Sequence, residues 1–199
     1  MNRKAYFNEA ASTWDKKYDT PELSSFLKKL VPMFGLSSGQ KILDVGTGTG
    51  VLIPYLIQAV GPSGSITAID YAVEMIKICK SKYSHLKNVI ISTQNIEKVI
   101  LPSNTFDAVI CFGLFPHIEK KEKALGNINR VLKKRGRLII AHALSSTEIK
   151  DRHIDASLAV VRDMLPEERE MIRLLNLAGF YDIYIKDEPG CYLCISIKY

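Results

Sequence analysis

Ile42-Leu43-Asp44-Val45-Gly46-Thr47-Gly48-Thr49-Gly50 is the stretch on which the fold turns. A β-branched run ends at Val45, three glycines alternate with two threonines, and apolar residues at helical spacing begin near Val51. Glycines here let the backbone turn sharply and let a ligand approach where a Cβ would collide. The same alternation of strand and helix continues outward. KILDV (41–45), SITAID (65–70), NVIIST (88–93), FDAVICF (106–112) and RLIIAHA (137–143) read as strands. Between them VLIPYLIQAV, AVEMIKICKSKY and EKKEKALGNINRVLKKR carry helical periodicity. Short connections between such units imply a parallel sheet with helices on both faces.

The final third departs from this rhythm. STEIKDRHIDASLAVV is amphipathic, and Pro166 followed by acidic residues reads as the start of a helix that Gly179 ends. YDIYIKDE and CYLCISIKY are strand-like runs joined by Pro189-Gly190, which makes them an antiparallel hairpin. The first 35 residues, with Trp14, Phe26, Leu27 and Leu30, read as helices packed beside the sheet. The expected fold is therefore α/β: a seven-stranded, mostly parallel sheet with helices on both faces and a C-terminal antiparallel β-hairpin. One domain over 1–199 suffices, divided into a helical cap (1–35), a ligand-binding core (36–145) and an acceptor-side segment, helix and hairpin (146–199).

Composition agrees with one packed domain. The chain has 199 residues, of which 47% are hydrophobic and 24% charged, so disorder, collagen and coiled coil are excluded. No apolar run approaches the roughly 20 residues that span a bilayer, and the first residues carry no secretory signal. A cytoplasmic address is expected. The formal charge of +6 is compatible with a polyanionic partner, but the lysine clusters at 120–123 and 133–137 fall in helical patterns, where they form solvated faces. Cys79, Cys111, Cys191 and Cys194 should be reduced thiols. Cys191 and Cys194 have CxxC spacing on a strand, where positions three apart face opposite ways and cannot converge.

In an open parallel sheet the ligand crevice lies at the carboxyl ends of the strands. Asp70 closes the second strand there, placed to accept hydrogen bonds from ribose hydroxyls. Val51 stands where the third glycine of a dinucleotide loop would fall, and Asp44 sets a negative charge before the loop. That charge opposes a phosphate and suits a ligand with an ammonium group. On LDVGTGTG (43–50), Asp70 and the strand FDAVICF, the chain resembles the class I S-adenosylmethionine-dependent methyltransferases, with a Rossmann-like sheet, and within them the ubiquinone/menaquinone-biosynthesis-type group. The resemblance covers about residues 5 to 145. It implies that Asp44, Gly46, Thr47, Gly48 and Gly50 hold the methionine part of S-adenosylmethionine. It further implies that Asp70 binds the ribose, that Tyr71 and Met75 flank the adenine, and that Asn95-Ile96 meets its amino group. Asn95 stands where the family usually has Asp. Cys111, on the strand that follows, is counted with the cofactor-binding residues.

The acceptor side is less explicit. Phe112-Gly113-Leu114-Phe115-Pro116-His117 carries neither the Asn/Asp-Pro-Pro-aromatic element nor the Pro-Cys nucleophile of nucleic-acid methylases. An apolar loop with one histidine suits a small-molecule or hydrophobic acceptor and argues against nucleic acid. His117, His142 and His153 are the candidate catalytic residues, all expected near the carboxyl edge of the sheet. They could serve as a general base or hold a metal, although their spacing matches no compact zinc motif. Residues 1–35, 112–118 and 142–166 are where acceptor choice should reside, with Trp14 and Tyr18 as possible caps. The competing readings are a nicotinamide-dependent oxidoreductase and a non-catalytic S-adenosylmethionine-binding module. Monomer and homodimer both stay open.

Overall fold

The computed structural model describes residues 2–154 and 159–199, with the side chains of 153 and 154 left out. Strands β1 (Lys41–Val45), β2 (Ser65–Asp70), β3 (Val89–Thr93), β4 (Phe106–Phe112), β5 (Leu132–His142), β6 (Phe180–Glu188) and β7 (Cys191–Lys198) form one sheet. Their order is β3-β2-β1-β4-β5-β7-β6. β1 to β5 pair in parallel, while β7 runs antiparallel between β5 and β6. The expected Rossmann-like sheet with its terminal hairpin is what forms.

Both faces of the sheet are buried, which explains why its strands read as continuous apolar runs rather than alternating ones. Leu43, Val45, Val109, Cys111, Leu138 and Ile140 face one core, completed by α5 (Lys121–Val131) and α7 (Glu168–Leu177). Ile42, Ala108, Ile110, Ile139 and Ala141 face the other, completed by α2 (Pro21–Met33), α3 (Ile53–Val60) and α4 (Val73–Tyr83). Cys194 packs into the first core and Cys191 against the second, so the two sulfurs do lie on opposite faces. All four cysteines are unpaired.

Two helices near the site complete the frame. α1 (Arg3–Tyr18) is capped by Asn2, whose side chain accepts from the Ala5 N–H, and packs on α4. α6 (Ser146–Ile154) follows β5.

Three boundaries differ from the sequence reading. The helix expected to reach Arg135 stops at Val131, because Leu132 joins β5 and pairs with Phe106. The register then shifts so that Arg137 faces Ala108, with Arg135 at a φ of 61° in the bulge. Gly136 is required there, since a Cβ would meet the Lys133 carbonyl oxygen at 2.8 Å. The basic cluster is thus a strand bulge and not a helix face, and Lys133 pairs with Asp107 at 2.7 Å. Likewise α3 begins at Ile53 rather than Val51, after a turn through Gly50–Leu52, and α7 begins at Glu168, past Pro166.

Candidate functional site

The loop after β1 is held by its neighbours in the sheet. Gly46 and Thr47 N–H groups both donate to the Ile69 carbonyl, at 2.8 and 3.0 Å, and Gly50 N–H returns to the Thr47 carbonyl at 2.9 Å. Gly46 and Gly50 have φ of 72° and 93°, where a side chain would be strained. Space forbids one as well: a Cβ on Gly46 would meet Leu114 at 2.7 Å, and one on Gly50 would meet Tyr83 at 2.6 Å. Gly48 is different. At a φ of 55° its missing Cβ faces open space, with only Trp14 Nε1 at 4.0 Å.

Asp70 stitches this loop to the end of β2. One carboxylate oxygen accepts the Gly48 N–H at 3.0 Å and the other accepts the Ala72 N–H at 2.8 Å. Burial raises the Asp70 carboxyl, and these backbone bonds partly offset it. Asp44 is fully enclosed on β1. Its burial pushes the carboxyl up to about 7, reinforced by the negative charge of Asp70. Asp44 Oδ2 and Thr47 Oγ1 are both buried with no hydrogen-bond partner among the described residues. Buried polar atoms are normally satisfied. Two unsatisfied oxygens beside a glycine loop fit a ligand that brings hydrogen-bond donors and positive charge, as a methionine ammonium does.

A cavity of about 580 Å³ opens over the loop. Gly46, Thr47, Gly48, Asp70, Tyr71 and Met75 line one end. Phe112, Leu114, His117, His142, Leu144 and Ile149 line the other, beyond the ends of β4 and β5. Trp14, Tyr18, Leu23 and Phe26 from α1 and α2 form its outer wall, with Trp14 and Tyr18 rings 4.4 Å apart. α1 is tied over the loop at several points. Asp15 accepts from the Thr49 hydroxyl at 2.5 Å and from Lys82 Nζ at 2.9 Å, and Asn8 accepts the Glu74 N–H at 3.0 Å.

The sequence-expected residues divide clearly. Gly46, Thr47, Gly48, Asp70, Tyr71, Met75, His117 and His142 converge on the cavity wall. Asp44 and Gly50 lie behind it as support. Asn95 caps the 3-10 turn Ile96–Lys98, its side-chain amide oxygen accepting the Glu97 N–H at 2.8 Å, and Ile96 is core. Cys111 is core too: it lies inside β4, off the cavity wall, with burial pushing its thiol far up. Strand alternation places Cys111 on the face opposite Ile110, which the sequence reading did not use. His153 lies in α6, but its side chain falls outside the described residues. Among the described residues no group of three or more His, Cys, Asp or Glu could hold a metal.

Two further polar residues meet His117, one directly and one through the other, both inside the segments expected to choose the acceptor but neither singled out there. Asp163 Oδ2 is 2.8 Å from His117 Nδ1, and Arg3 Nε is 2.8 Å from both Asp163 oxygens. Burial alone would raise the Asp163 carboxyl, but hydrogen bonds from His117 and Arg3 outweigh it and hold it below the usual carboxylate range. Residues 160 positions apart cannot be paired by local pattern.

Comparison with known proteins agrees with this geometry. Residues 36–179 match the family model described as a methyltransferase domain. The ubiquinone/menaquinone biosynthesis C-methyltransferase UbiE of Psychromonas ingrahamii is 39% identical over 110 residues, covering 53% of this chain and 43% of that protein. The enzyme of the same name from Escherichia fergusonii is 35% identical over 144 residues, covering 67% of this chain and 56% of that one. The matched region is thus about half the length of these curated relatives. A solved SAM dependent methyltransferase from Aquifex aeolicus superposes with a TM-score of 0.75 at 29% identity, covering 94% of this chain and 98% of its own.

Proposed function

The chain belongs to the methyltransferase-domain family, among the class I S-adenosylmethionine-dependent enzymes, and on that premise we propose that it methylates a small, largely apolar acceptor. The observation that carries this reading is the pair of buried oxygens on Asp44 and Thr47, without a hydrogen-bond partner among the described residues, beside a mostly apolar cavity. S-adenosylmethionine, when bound, supplies a methyl group activated by its sulfonium.

The protein's own contribution is placement. Asp44 and the Gly46–Gly50 loop offer negative charge and close backbone approach to the amino-acid part. Asp70 keeps lone pairs for ribose hydroxyls after accepting its two N–H bonds. Tyr71 and Met75 offer flat apolar surface to a base. Holding reactants in line is worth much of the barrier in such a displacement. Trp14, Tyr18, Leu23 and Phe26 exclude water on the acceptor side, and His117 and His142 stand on the wall to handle a proton. Tyr18 and Trp14 favour an acceptor with a planar ring, and quinol precursors head the panel because of the names of the curated relatives.

The helix geometry argues against a dinucleotide. α3 starts three residues beyond Gly50, so its N-terminal N–H groups are not presented at the loop as a pyrophosphate would need. Among the described residues no helix is long and apolar enough to cross a membrane, and four unpaired cysteines fit a reducing, cytoplasmic setting. The test is titration calorimetry with S-adenosylmethionine, its demethylated product and NADH, followed by a methyl-release assay over a panel of small ring acceptors. Binding of the first two and turnover of a panel member support the proposal. NADH binding alone refutes it, and tight binding without turnover makes the protein a cofactor-binding module.

A further inference from the structure

His117 is held from behind by groups from two distant parts of the chain. Its Nδ1 meets the Asp163 carboxylate at 2.8 Å, and Asp163 is almost completely buried at 1% exposure. Arg3, from the first turn of α1, grips both oxygens of that carboxylate. The edge of Phe7, one turn further along α1, packs on the imidazole with centroids 5.1 Å apart and planes at 73°. The ring itself lies on the cavity wall.

We propose that Asp163, anchored by Arg3, is the positioning residue that holds His117 as the Nδ1–H tautomer, making Nε2 the atom that takes a proton from the methyl acceptor. This rests on the methyl-transfer reading of the cavity and selects His117 for the proton. The chemistry follows from what each group can do. An ionised carboxylate only accepts hydrogen bonds, so the neutral imidazole facing it must carry its proton on Nδ1 and its lone pair on Nε2. Arg3 keeps the buried carboxylate ionised and makes its orientation bidentate. In the proton-transfer step the acceptor's X–H bond breaks and its electron pair stays on X. The proton bonds to Nε2, and the resulting imidazolium keeps its Nδ1–H on Asp163 until Nε2 returns the proton to water.

Among the described residues, the charged and titratable groups around His117 and Asp163 come from separate elements. Arg3 on α1 opposes a second positive charge, and its Nη1 lies 4.0 Å from Glu119 at the rim. Lys121 turns its ammonium to the Ile118 carbonyl at 2.9 Å, and burial lowers it. Tyr71 and Glu97 stand nearby, with Glu97 bound to the Glu119 and Lys120 N–H groups. Asp163 is in hydrogen-bond contact with the ring, so an uncharged side chain in its place supports the imidazolium less.

The test joins a spectroscopic arm to a kinetic one. Side-chain ¹⁵N NMR of the protein saturated with S-adenosylhomocysteine reads the tautomer, with His117 signals identified by their loss in His117→Gln. We expect a protonated Nδ1 and an unprotonated Nε2 at pH 8, and loss of that state in Asp163→Asn. With an acceptor from the panel, Asp163→Asn should lower kcat by about 100-fold and move the acid limb of its pH profile down. S-adenosylhomocysteine affinity should stay within about twofold, and Arg3→Lys should retain more activity than Arg3→Gln. A protonated Nε2 in the wild type overturns the proposal. So does an unchanged tautomer or an unchanged kcat and pH profile in Asp163→Asn. If Asp163→Asn fails to fold, the wild-type tautomer and the Arg3 pair decide the matter. Failure of the wild type to bind S-adenosylhomocysteine is a separate result, which removes the methyl-transfer reading itself.

Discussion

The two ends of the cavity are built by different means. At the loop end, the bonds of Asp70 stay within one strand–turn–strand unit, reaching Ala72 two residues away and Gly48 twenty-two away, with α1 laid over them. At the acceptor end, His117 is fixed by a residue 46 positions on, and that residue by one 160 positions back. A site for a shared cofactor can be encoded in one strand–turn–helix unit. The wall around His117 is assembled from α1, the turn after β4 and Asp163. It can therefore change piece by piece while the loop stays the same.

Substitutions can break this contrast or sharpen it. The largest effect is expected at Gly50, where Ala would meet both Tyr83 at 2.6 Å and Cys79 Sγ at 2.9 Å. Left-handed strain and overpacking together should cost about 4 kcal/mol, seen as a fall in the urea midpoint. Gly48→Ala, facing open space, should cost only the strain of about 1–2 kcal/mol and act mainly on cofactor affinity. Equal losses at the two glycines would contradict the division between support and cradle.

Asp163→Ala should destabilise by about 3 kcal/mol, because it breaks a buried ion pair whose Arg3 partner can still reach water. Hydrogen exchange should place the loss in α1 and leave β1 and β2 protected. A loss spread over the whole sheet would show that the acceptor wall is part of the core. Asp70→Ala should weaken cofactor binding by about 2 kcal/mol, roughly 30-fold, read by calorimetry. An unchanged affinity would leave Asp70 with only its role as a stitch for the loop.

The smallest effect is one of pH. Asp44 is raised in the folded protein to about 7. Its unfolded counterpart ionises near pH 3.9, so folded Asp44 holds its proton longer, and its favourable share of stability falls as pH rises from about 4 to about 7. Ligand binding runs the other way. An ammonium favours the ionised carboxylate, so affinity for S-adenosylhomocysteine should rise about tenfold between pH 6 and 7.5, with close to one proton released per ligand at pH 6. The α-ammonium of the ligand, next to its own carboxylate, loses its proton only above this window. Calorimetry in buffers of different ionisation enthalpy measures that proton, and a flat profile would detach Asp44 from the ligand.

The same contrast explains what the sequence could reveal. Strand runs, the glycine loop, Asp70 and the closing hairpin were legible because period, turn chemistry and β-branching act locally. His117, in the turn after β4, and His142, the last residue of β5, were legible from their place at the carboxyl edge of the sheet. Arg3 and Asp163 were not, since pairing them requires the complete fold. The end of α5 was misjudged because helical periodicity in VLKKR continued past the point where Leu132 pairs with Phe106. Asn95 and Cys111 were placed with the ligand by resemblance, whereas a local N–H engages one and sheet packing encloses the other.

The position of β7 has a consequence for how the molecule is made. Synthesis lays down strands in chain order, yet β7 ends up inside the sheet, between β5 and β6. Until it emerges, a nascent chain that already holds β1 to β5 presents the apolar LIIA stretch of β5 as a bare edge. Unpaired edges of that kind invite pairing with other chains. The last of the seven strands in the sheet is therefore the one that covers the β5 edge and gives β6 its partner.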